Sequence, residues 1–309
     1  MTVTAIVNPV SGGGRVKKHL PVILAELAKR FGPVELLTTR SRGDGRVLAR
    51  QAADAGSDFL VAIGGDGTIS ECVDGILSSS RPDMPLAVIP AGTGSDFSRN
   101  LLVGRSPSEW ISRITFPRTQ AIDAGAIRMA DGTMVHVVNV ASFGVSGAIA
   151  AAVNRRPRSR FLPGRLVFFL HSLIGIIRFR PIRVRIAIDG EPPRERDVAL
   201  VAIANGPVFG GGMRVAPDAR MDDGLLDVII IEAMPALKLL MLFPLIYSGR
   251  HIRHAKVTCL RAKSLEASLA GDAAMWDGAI EVDGESVGHL PAGFSIVPAG
   301  LVMAMALRT

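Results

Sequence analysis

Short apolar runs alternate with longer amphipathic stretches along the first third of the chain. The runs have the length of strands, and the stretches have helical spacing. The predicted order is strand 2–8, helix 16–31, strand 34–39, helix 45–55, strand 59–63, helix 69–78 and strand 86–89. Because strands that alternate with helices pair through crossover connections, this pattern predicts a parallel sheet with helices on its faces.

The second part of the chain has a different pattern, in which strands predominate. Helices are predicted at 95–101 and 108–115. From 182 to 188, isoleucine and valine alternate with arginine and alanine, which is the period of a half-buried strand. Further strands are predicted at 135–140, 198–204, 226–231, 256–260, 279–282, 294–297 and 301–307. The prediction is a mostly antiparallel β domain.

Two helical insertions at 162–178 and 235–247 carry more apolar surface than a solvent-facing helix needs. They either pack on the sheet or form the pocket or lip for an acyl chain. The longest apolar run, 166–177, is well below the roughly 20 residues that cross a bilayer. The chain starts with a strand-like segment, so no secretory signal is expected.

The composition is that of a globular protein, with 309 residues, 48% of them hydrophobic and 20% charged. This length accommodates two domains. Cys72 and Cys259 follow no disulfide or metal-binding pattern, so we expect two buried thiols in a reducing cytoplasm.

The net charge of +7 is concentrated rather than spread along the chain. No Asp or Glu occurs from Gly132 to Ile188. The arginines of this run are Arg155, Arg156, Arg158, Arg160, Arg165, Arg178, Arg180, Arg183 and Arg185. A block of one charge sign favours an anionic partner, and the phosphates of nucleic acid or of a membrane surface both qualify.

Glycine-rich turns follow three of the predicted strands, at Asn8 to Gly14, Gly64 to Thr68 and Pro90 to Asp96. Without a Cβ, Gly64, Gly65 and Gly67 allow positive φ and a close approach of backbone N–H groups to a polyanion. A helix beginning near Thr68 adds its N-terminal amides. Because the carboxyl ends of parallel strands share one edge, the three turns are expected to converge on one crevice.

Asp66 stands in the second of these turns, where its carboxylate would repel bound phosphates. A divalent cation between them removes the conflict, so the pattern favours a magnesium nucleotide over bare phosphate. For a lone glycine-rich turn, a purely structural role would be the better interpretation. The repetition of the turn after three strands favours the phosphate site.

Five motifs extend along nearly the whole chain and resemble the diacylglycerol kinase catalytic-domain family, which includes bacterial lipid kinases, sphingosine kinases and ceramide kinases. They are Asn8-Pro-x-Ser-Gly, Gly64-Gly-Asp-Gly-Thr68, Gly92-Thr-Gly-Ser-Asp-Phe97, Ala216-Pro-Asp-Ala-Arg-Met-Asp-Asp-Gly-Leu-Leu-Asp227 and Val282-Asp-Gly-Glu285. The glycine-aspartate-glycine loop alone is shared with NAD kinases and phosphofructokinases, so the later motifs carry the specificity.

The resemblance implies a Rossmann-like α/β domain, similar to NAD kinase and phosphofructokinase, at 1–122 with a C-terminal return at 293–309. It implies that a strand at 119–127 crosses into a β-rich lipid-substrate domain with helical insertions at 123–292. The implied nucleotide-binding residues are Asn8, Thr39, Gly64, Gly65, Asp66, Gly67, Thr68, Glu71, Gly92, Thr93 and Asp96. Thr39 has the equal alternative of capping the next helix, and Ser95 stands where the family has Asn.

The resemblance also assigns catalytic and metal-binding residues. Asp283 corresponds to the general base that deprotonates the lipid hydroxyl, and Glu285 to a helper for base or metal. Without the resemblance, Asp283-Gly284 would be interpreted as a hairpin turn. A structural Mg²⁺ is implied on the Asp223 side chain and the backbone oxygens of Arg220 and Leu225. Arg220 replaces an acid found in some relatives.

The function implied is an ATP- and Mg²⁺-dependent lipid kinase that phosphorylates a membrane lipid such as diacylglycerol, giving phosphatidic acid. The alternatives are a kinase of a water-borne substrate, as in NAD kinases, and a non-enzymatic membrane-binding protein with a vestigial nucleotide fold. The expected partners are the lipid and an anionic membrane surface, without nucleic acid, and a homodimer stays open. We expect a cytoplasmic enzyme that associates peripherally with membranes.

Overall fold

The computed structural model of the chain describes residues 1–91, 96–101, 106–147, 149, 173–271 and 278–307. The chain divides into two compact units. Unit 1 comprises Met1–Ala124 and Pro298–Thr309, and unit 2 comprises Gly125–Val297. The predicted fold class, a parallel α/β part followed by a mostly antiparallel β part, is confirmed.

Unit 1 is the predicted alternation of strands and helices. Its elements are β1 (Val3–Val7), α1 (Val16–Phe31), β2 (Val34–Thr38), α2 (Asp44–Asp54), β3 (Phe59–Gly64), α3 (Asp66–Leu77), β4 (Leu86–Pro90) and α4 (Pro107–Ser112). The strands pair in parallel in the order β2-β1-β3-β4. Every residue of β1 and β3 is buried, because helices cover both faces of a parallel sheet.

Unit 2 is built mainly from antiparallel strands. They are β5 (Gln120–Met129, starting in unit 1), β6 (Met134–Val137), β7 (Val140–Gly144), β8 (Ile182–Ile188), β9 (Arg194–Ala204), β10 (Leu226–Glu232), β11 (Val257–Ala262), β12 (Ser264–Leu269), β13 (Ala279–Val282), β14 (Glu285–His289) and β15 (Ala292–Met303, ending in unit 1). Neighbours follow the order β14-β13-β7-β9-β8-β12-β15, with β10 between β9 and β11. The helix α5 (Ala236–Tyr247) follows β10.

Several predicted boundaries were wrong. The predicted strand 135–140 is split between β6 and β7, because the buried Asn139 interrupts the pairing and accepts the Asn205 N–H at its backbone oxygen. The predicted strand 294–297 and the start of the predicted strand 301–307 belong to one strand, β15, which ends at Met303. The predicted helix 95–101 is a short 3₁₀ turn, Phe97–Asn100. Strands β12 and β14 were not predicted.

The arginine-rich run is only partly described, since Arg155, Arg156, Arg158, Arg160 and Arg165 lie outside the described residues. On β8, Arg183 pairs with Asp197 at 2.8 Å and Arg185 pairs with Glu195 at 3.0 Å. These two arginines therefore line the solvent face of a strand and balance acids of the adjacent β9. An anionic partner is not needed to explain them.

The two insertions differ in how much of them the structure describes. Of the predicted helix 162–178, the described residues 173–178 are helical, with Ile176 buried and Ile177 exposed. Helix α5 packs Leu239, Leu242 and Phe243 into the core of unit 2, as expected for packing on the sheet. Within the described residues, no helix is long and apolar enough to cross a membrane.

The prediction of two buried thiols was wrong for one cysteine. Cys72 is buried inside α3, whereas Cys259 is exposed on β11. Among the strands that the structure describes, β11 pairs only with β10, so it lies at an edge where a side chain can reach solvent.

Candidate active site

Three loops of unit 1 meet at the carboxyl ends of its parallel strands. The Asn8 side chain after β1 donates to the Thr68 hydroxyl of α3 at 3.2 Å. The backbone N–H of Ala91, after β4, donates to the Gly64 carbonyl after β3 at 2.8 Å. A Cβ on Gly12 would overlap the Ala91 carbonyl oxygen. The predicted convergence is therefore present, and the loops are in contact rather than only on the same edge.

The glycines of these loops serve different geometric needs. Positive φ occurs in the first loop, at Gly12, Gly13 and Gly14 (61°, 71° and 84°). The expectation of positive φ in the second loop was wrong, because Gly65 has a φ of −96° and an extended backbone. Gly64 is needed for space, since a Cβ there would lie 2.6 Å from the Thr68 side chain.

Helix α3 begins two residues earlier than predicted, at Asp66, so this carboxylate lies in the first helical turn. Its Oδ1 accepts the Phe97 backbone N–H at 3.1 Å. Burial, and then the nearby Asp96 carboxylate, raise the pKa of Asp66 above its ordinary value. Asp96 is itself buried and pairs with Arg99 at 3.2 Å.

The electrostatics of Asp66 favour a divalent cation beside it, and Asp96 would join as a ligand only with the oxygen that Arg99 leaves open. The nearby Asp96 carboxylate disfavours the ionisation of Asp66, and a hard cation with oxygen ligands relieves that repulsion. Magnesium is commonly held in kinases by one or two carboxylates together with substrate phosphates. Among the described residues, no group of three or more His, Cys, Asp or Glu side chains is placed to hold a metal ion.

Thr39 and Glu71 have structural partners in unit 1. The buried Thr39 donates its backbone N–H to the Val7 carbonyl at 3.0 Å, which places it beside the end of β1. Glu71 accepts the backbone N–H groups of Gly43 and Gly45 at 2.7 and 2.9 Å. Its carboxylate therefore caps the N-terminus of α2, a role that no local sequence signal indicated. Gly92 and Thr93 lie outside the described residues.

In unit 2, the structure places Asp283 in a two-residue hairpin turn between β13 and β14. Asp283 and Gly284 have φ values of 50° and 89°, as a type I′ turn requires. Asp283 and Val140 bond reciprocally at 3.3 Å, through the N–H of one to an oxygen of the other in each direction. Asp283 is thus a turn residue anchored to β7, and the half-buried Glu285 begins β14. The catalytic role of Asp283 and the helper role of Glu285 stay predictions.

A buried carboxylate that the sequence analysis did not select supports this hairpin. Glu281 accepts the Ser142 hydroxyl at 2.5 Å and the Gly284 backbone N–H at 2.6 Å. Burial raises the pKa of the Glu281 carboxyl, and these hydrogen bonds oppose the shift. Glu281 therefore fixes the Asp283-Gly284 turn against β7. No local signal indicated this burial, because Ile280 and Val282 lie on the opposite face of the strand from Glu281.

The predicted structural metal segment holds an ion pair instead of open ligands. Asp223 accepts the Leu225 backbone N–H at 3.1 Å with one oxygen, and its other oxygen contacts the Arg261 guanidinium. Arg220 pairs with Asp222 at 3.2 Å. A cation on Asp223 would have to displace Arg261, so the residues as arranged do not fit a bound Mg²⁺.

A cavity of about 760 Å³ opens on unit 2. Its walls include Arg128, Arg185, Glu191 and Glu266, which do not suit an acyl chain. None of its lining residues belongs to α5 or to residues 173–178. The prediction that the insertions form an acyl-chain pocket stays a prediction.

Comparisons with known proteins give the family. Residues 2–127 match the diacylglycerol kinase catalytic domain, and residues 127–305 match the YegS C-terminal NAD kinase beta sandwich-like domain. A diacylglycerol kinase of Mycobacterium tuberculosis is 32% identical over 97% of this chain and 93% of its own.

Solved structures agree with this assignment. A Bacillus anthracis protein assigned as a diacylglycerol kinase is 25% identical and superimposes with a TM-score of 0.77 over 98% of this chain and 96% of its own. An ATP-bound NAD kinase of Archaeoglobus fulgidus, 16% identical with a TM-score of 0.53, covers 99% of this chain and 94% of its own and shares the fold. The chain therefore belongs to the diacylglycerol kinase family and is a lipid kinase.

Proposed function

We propose that this lipid kinase transfers the γ-phosphate of ATP to the free hydroxyl of diacylglycerol, giving phosphatidic acid. The observation that carries the proposal is the contact between the loops after β1, β3 and β4, made by Asn8 with Thr68 and by Ala91 with Gly64. Such loops present backbone N–H groups and a helix N-terminus that can bind phosphates. The names of the curated relatives support diacylglycerol as the acceptor.

Unit 1 is proposed to bind the nucleotide. Asn8, Gly64 to Thr68 and the start of α3 would receive the phosphates, with Thr39 near the end of β1 and Gly92 and Thr93 completing the site. Asp66 and Asp96 would hold the Mg²⁺, which neutralises phosphate charge during transfer. Glu71 is proposed to act indirectly, by holding α2 through its bonds to Gly43 and Gly45.

Unit 2 is proposed to supply the base. The Asp283 carboxylate takes the proton of the lipid hydroxyl while the hydroxyl oxygen attacks the γ-phosphorus. The bond from the γ-phosphorus to the bridging oxygen breaks, and ADP leaves. Glu285, at the start of β14, assists the base or the metal. Glu281 holds the turn that carries Asp283, so the base enters the reaction already oriented.

The domain assignment stays a proposal, with a nucleotide domain at 1–122 plus 293–309 and a lipid domain at 123–292. The proposed location is cytoplasmic, with peripheral binding to anionic membranes. A kinase acting on NAD is the second candidate, because the fold of NAD kinase is shared.

The experiment that tests the proposal is an incubation of the purified protein with γ-labelled ATP, Mg²⁺ and one acceptor at a time. Diacylglycerol, ceramide, sphingosine and NAD are compared at equal concentration. We expect labelled phosphatidic acid as the main product and no transfer in an Asp66→Ala control. Preferential labelling of NAD or of a sphingoid lipid would overturn the assignment of the acceptor.

A further inference from the structure

Helix α5 is apolar on two opposite faces. Leu239, Leu242, Phe243 and Ile246 form the inner face, which belongs to the core of unit 2. Leu237, Met241 and Leu245 recur at intervals of one helical turn on the outer face, where they are 69%, 62% and 40% exposed. A helix apolar all round is normally buried, so the outer face is suited to a second apolar phase.

Basic side chains surround the end of this helix. Arg214 lies beside it, because its backbone N–H donates to the Ile246 carbonyl at 3.0 Å. Arg250 and Arg253 follow in a short 3₁₀ turn directly after the helix, and Lys238 lies in its first turn. All four side chains are exposed, and none has an acidic partner within 4.0 Å among the described ion pairs.

The surrounding sequence contains no compensating acids. From Ala233 to Leu265 the chain has no Asp or Glu, although Lys and Arg recur throughout. Of these, Lys256 and Arg261 pair with Glu232 and Asp223 from outside the run. This differs from β8, where Arg183 and Arg185 are balanced by β9. The charge around α5 is therefore available to an external anion.

We propose that the outer face of α5, with Lys238, Arg214, Arg250 and Arg253, is the surface that binds anionic bilayers. The apolar stripe enters the region between head groups and acyl chains, and the cations hold anionic head groups. A helix of 12 residues is long enough to lie in this interface and too short to cross it. The proposal rests on the proposed function, because an enzyme whose acceptor stays in the bilayer must work at its surface.

The apolar contribution is tested with the pair Leu237→Gln and Met241→Gln. Glutamine is a good helix former, and both positions are exposed, so the fold is retained. The matched control is Val22→Gln with Val47→Gln, two exposed apolar residues on α1 and α2. Because each half-exposed side chain contributes about fivefold to partitioning, we expect about a 25-fold loss of binding to vesicles containing phosphatidylglycerol and no loss in the control.

The basic contribution is tested with Arg250→Gln and Arg253→Gln. The control is Arg183→Gln and Arg185→Gln, which removes the same net charge from the face of β8. Since each cation near an anionic surface contributes about fivefold, the first pair should lose about 25-fold in affinity on anionic vesicles and the control much less. Added salt should weaken binding of the wild type. Equal losses in both pairs would overturn the surface assignment.

Kinase activity is measured in parallel on dihexanoylglycerol dispersed as monomers. Retained activity on this substrate, with lost activity on vesicles, supports the proposal. If the Leu237 and Met241 variant loses activity on the monomer as well, α5 belongs to the acyl-chain pocket, and the surface proposal fails. Activity on neither form in the wild type would instead remove the proposed acceptor. Conversion of a dimer to a monomer by the variant, seen by light scattering, would assign the face to a second copy of the chain.

Discussion

At the residue scale, Asp66 joins the phosphate loops to a neighbouring carboxylate. It starts α3, bonds Phe97 and lies close enough to Asp96 for the pKa of Asp66 to rise. In such a position a divalent cation strongly stabilises the ionised carboxylate, because it offsets both the desolvation cost of burial and the repulsion from Asp96. Mg²⁺ and nucleotide should therefore bind to it together.

The first prediction is that Asp66→Ala and Gly65→Val each abolish Mg-ATP binding in the folded protein. Gly65 has an extended backbone that valine tolerates, so we expect the added side chain to act by occupying space at the proposed phosphate site. Calorimetric titration checks the result. Asp83→Asn, an exposed carboxylate of the same unit, should bind like wild type. Unchanged affinity in either variant would contradict the nucleotide site.

The second prediction concerns Asp283. Asp283→Asn should lower kcat by about 10²- to 10⁴-fold, the usual effect of losing a general base, while ATP affinity stays close to wild type. Asp189→Asn is a matched control, because Asp189 also precedes a glycine in a turn with a φ of 50°. Comparison with Glu285→Gln separates the base from its helper. Activity of Asp283→Asn within a few-fold of wild type would leave it as a turn residue only.

At the element scale, two hairpin and loop segments of unit 2 depend on carboxylates that bind backbone or guanidinium groups. Glu281 connects β13 to β7 and to its own turn. Asp223 connects the loop before β10 to Arg261 on β11. In both cases one side chain fixes the geometry of a segment that the family resemblance marks as functional.

The third prediction is a pH dependence from Glu281. Its pKa is raised in the folded state, so its stabilising contribution is present below the ordinary glutamate pKa and is lost as pH rises through the raised pKa. In Glu281→Gln the amide oxygen accepts the Gly284 N–H and the amide nitrogen donates to the Ser142 hydroxyl, so the titrating group is removed and its Tm should gain on wild type as pH rises through that window. Glu281→Ala should lose about 2–4 kcal/mol, because two donors are left buried. Glu266→Gln, on the exposed face of β12, is the control. Parallel Tm curves for wild type and Glu281→Gln would contradict the assignment.

The fourth prediction uses Mg²⁺ to test the Asp223 segment. Because Arg261 pairs with Asp223 in the wild type, adding Mg²⁺ should raise the Tm most in Arg261→Gln, which frees the carboxylate, and equally little in wild type and Asp223→Ala. Without Mg²⁺, Asp223→Ala should be less stable than wild type. Thermal denaturation without nucleotide measures these shifts. Equal gains in all three proteins would show that Mg²⁺ does not use this segment.

At the scale of the whole molecule, each of the two compact units has its own core. Unit 1 buries the parallel strands, and unit 2 buries an antiparallel core that includes the inner face of α5. Chains with more than one core often unfold in more than one step, because two-state behaviour holds mainly for single domains. Ligands that bind one unit stabilise that unit by mass action.

The fifth prediction is that calorimetry resolves two unfolding transitions. Mg-ATP should raise the midpoint temperature of only one of them, the transition of unit 1. The free energy of unfolding of unit 1 should increase by about 2.7 kcal/mol at a ligand concentration 100 times the Kd. Asp66→Ala should abolish the shift, and Glu281→Ala should lower the other transition. A single transition that both variants affect equally would mean that the units unfold together.

The sequence determined the fold class and the position of the phosphate loops, because strand and helix periodicity and glycine turns are local properties of the chain. The tertiary structure decided which acids are available for chemistry. Glu71 caps α2, Glu281 ties the Asp283 turn to Ser142, and Arg261 pairs with Asp223. All three contacts join residues far apart in the chain. It also decided which part of the positive charge is free, because β9 neutralises the arginines of β8. Partners of this kind depend on strand register and helix packing, which no local pattern encodes.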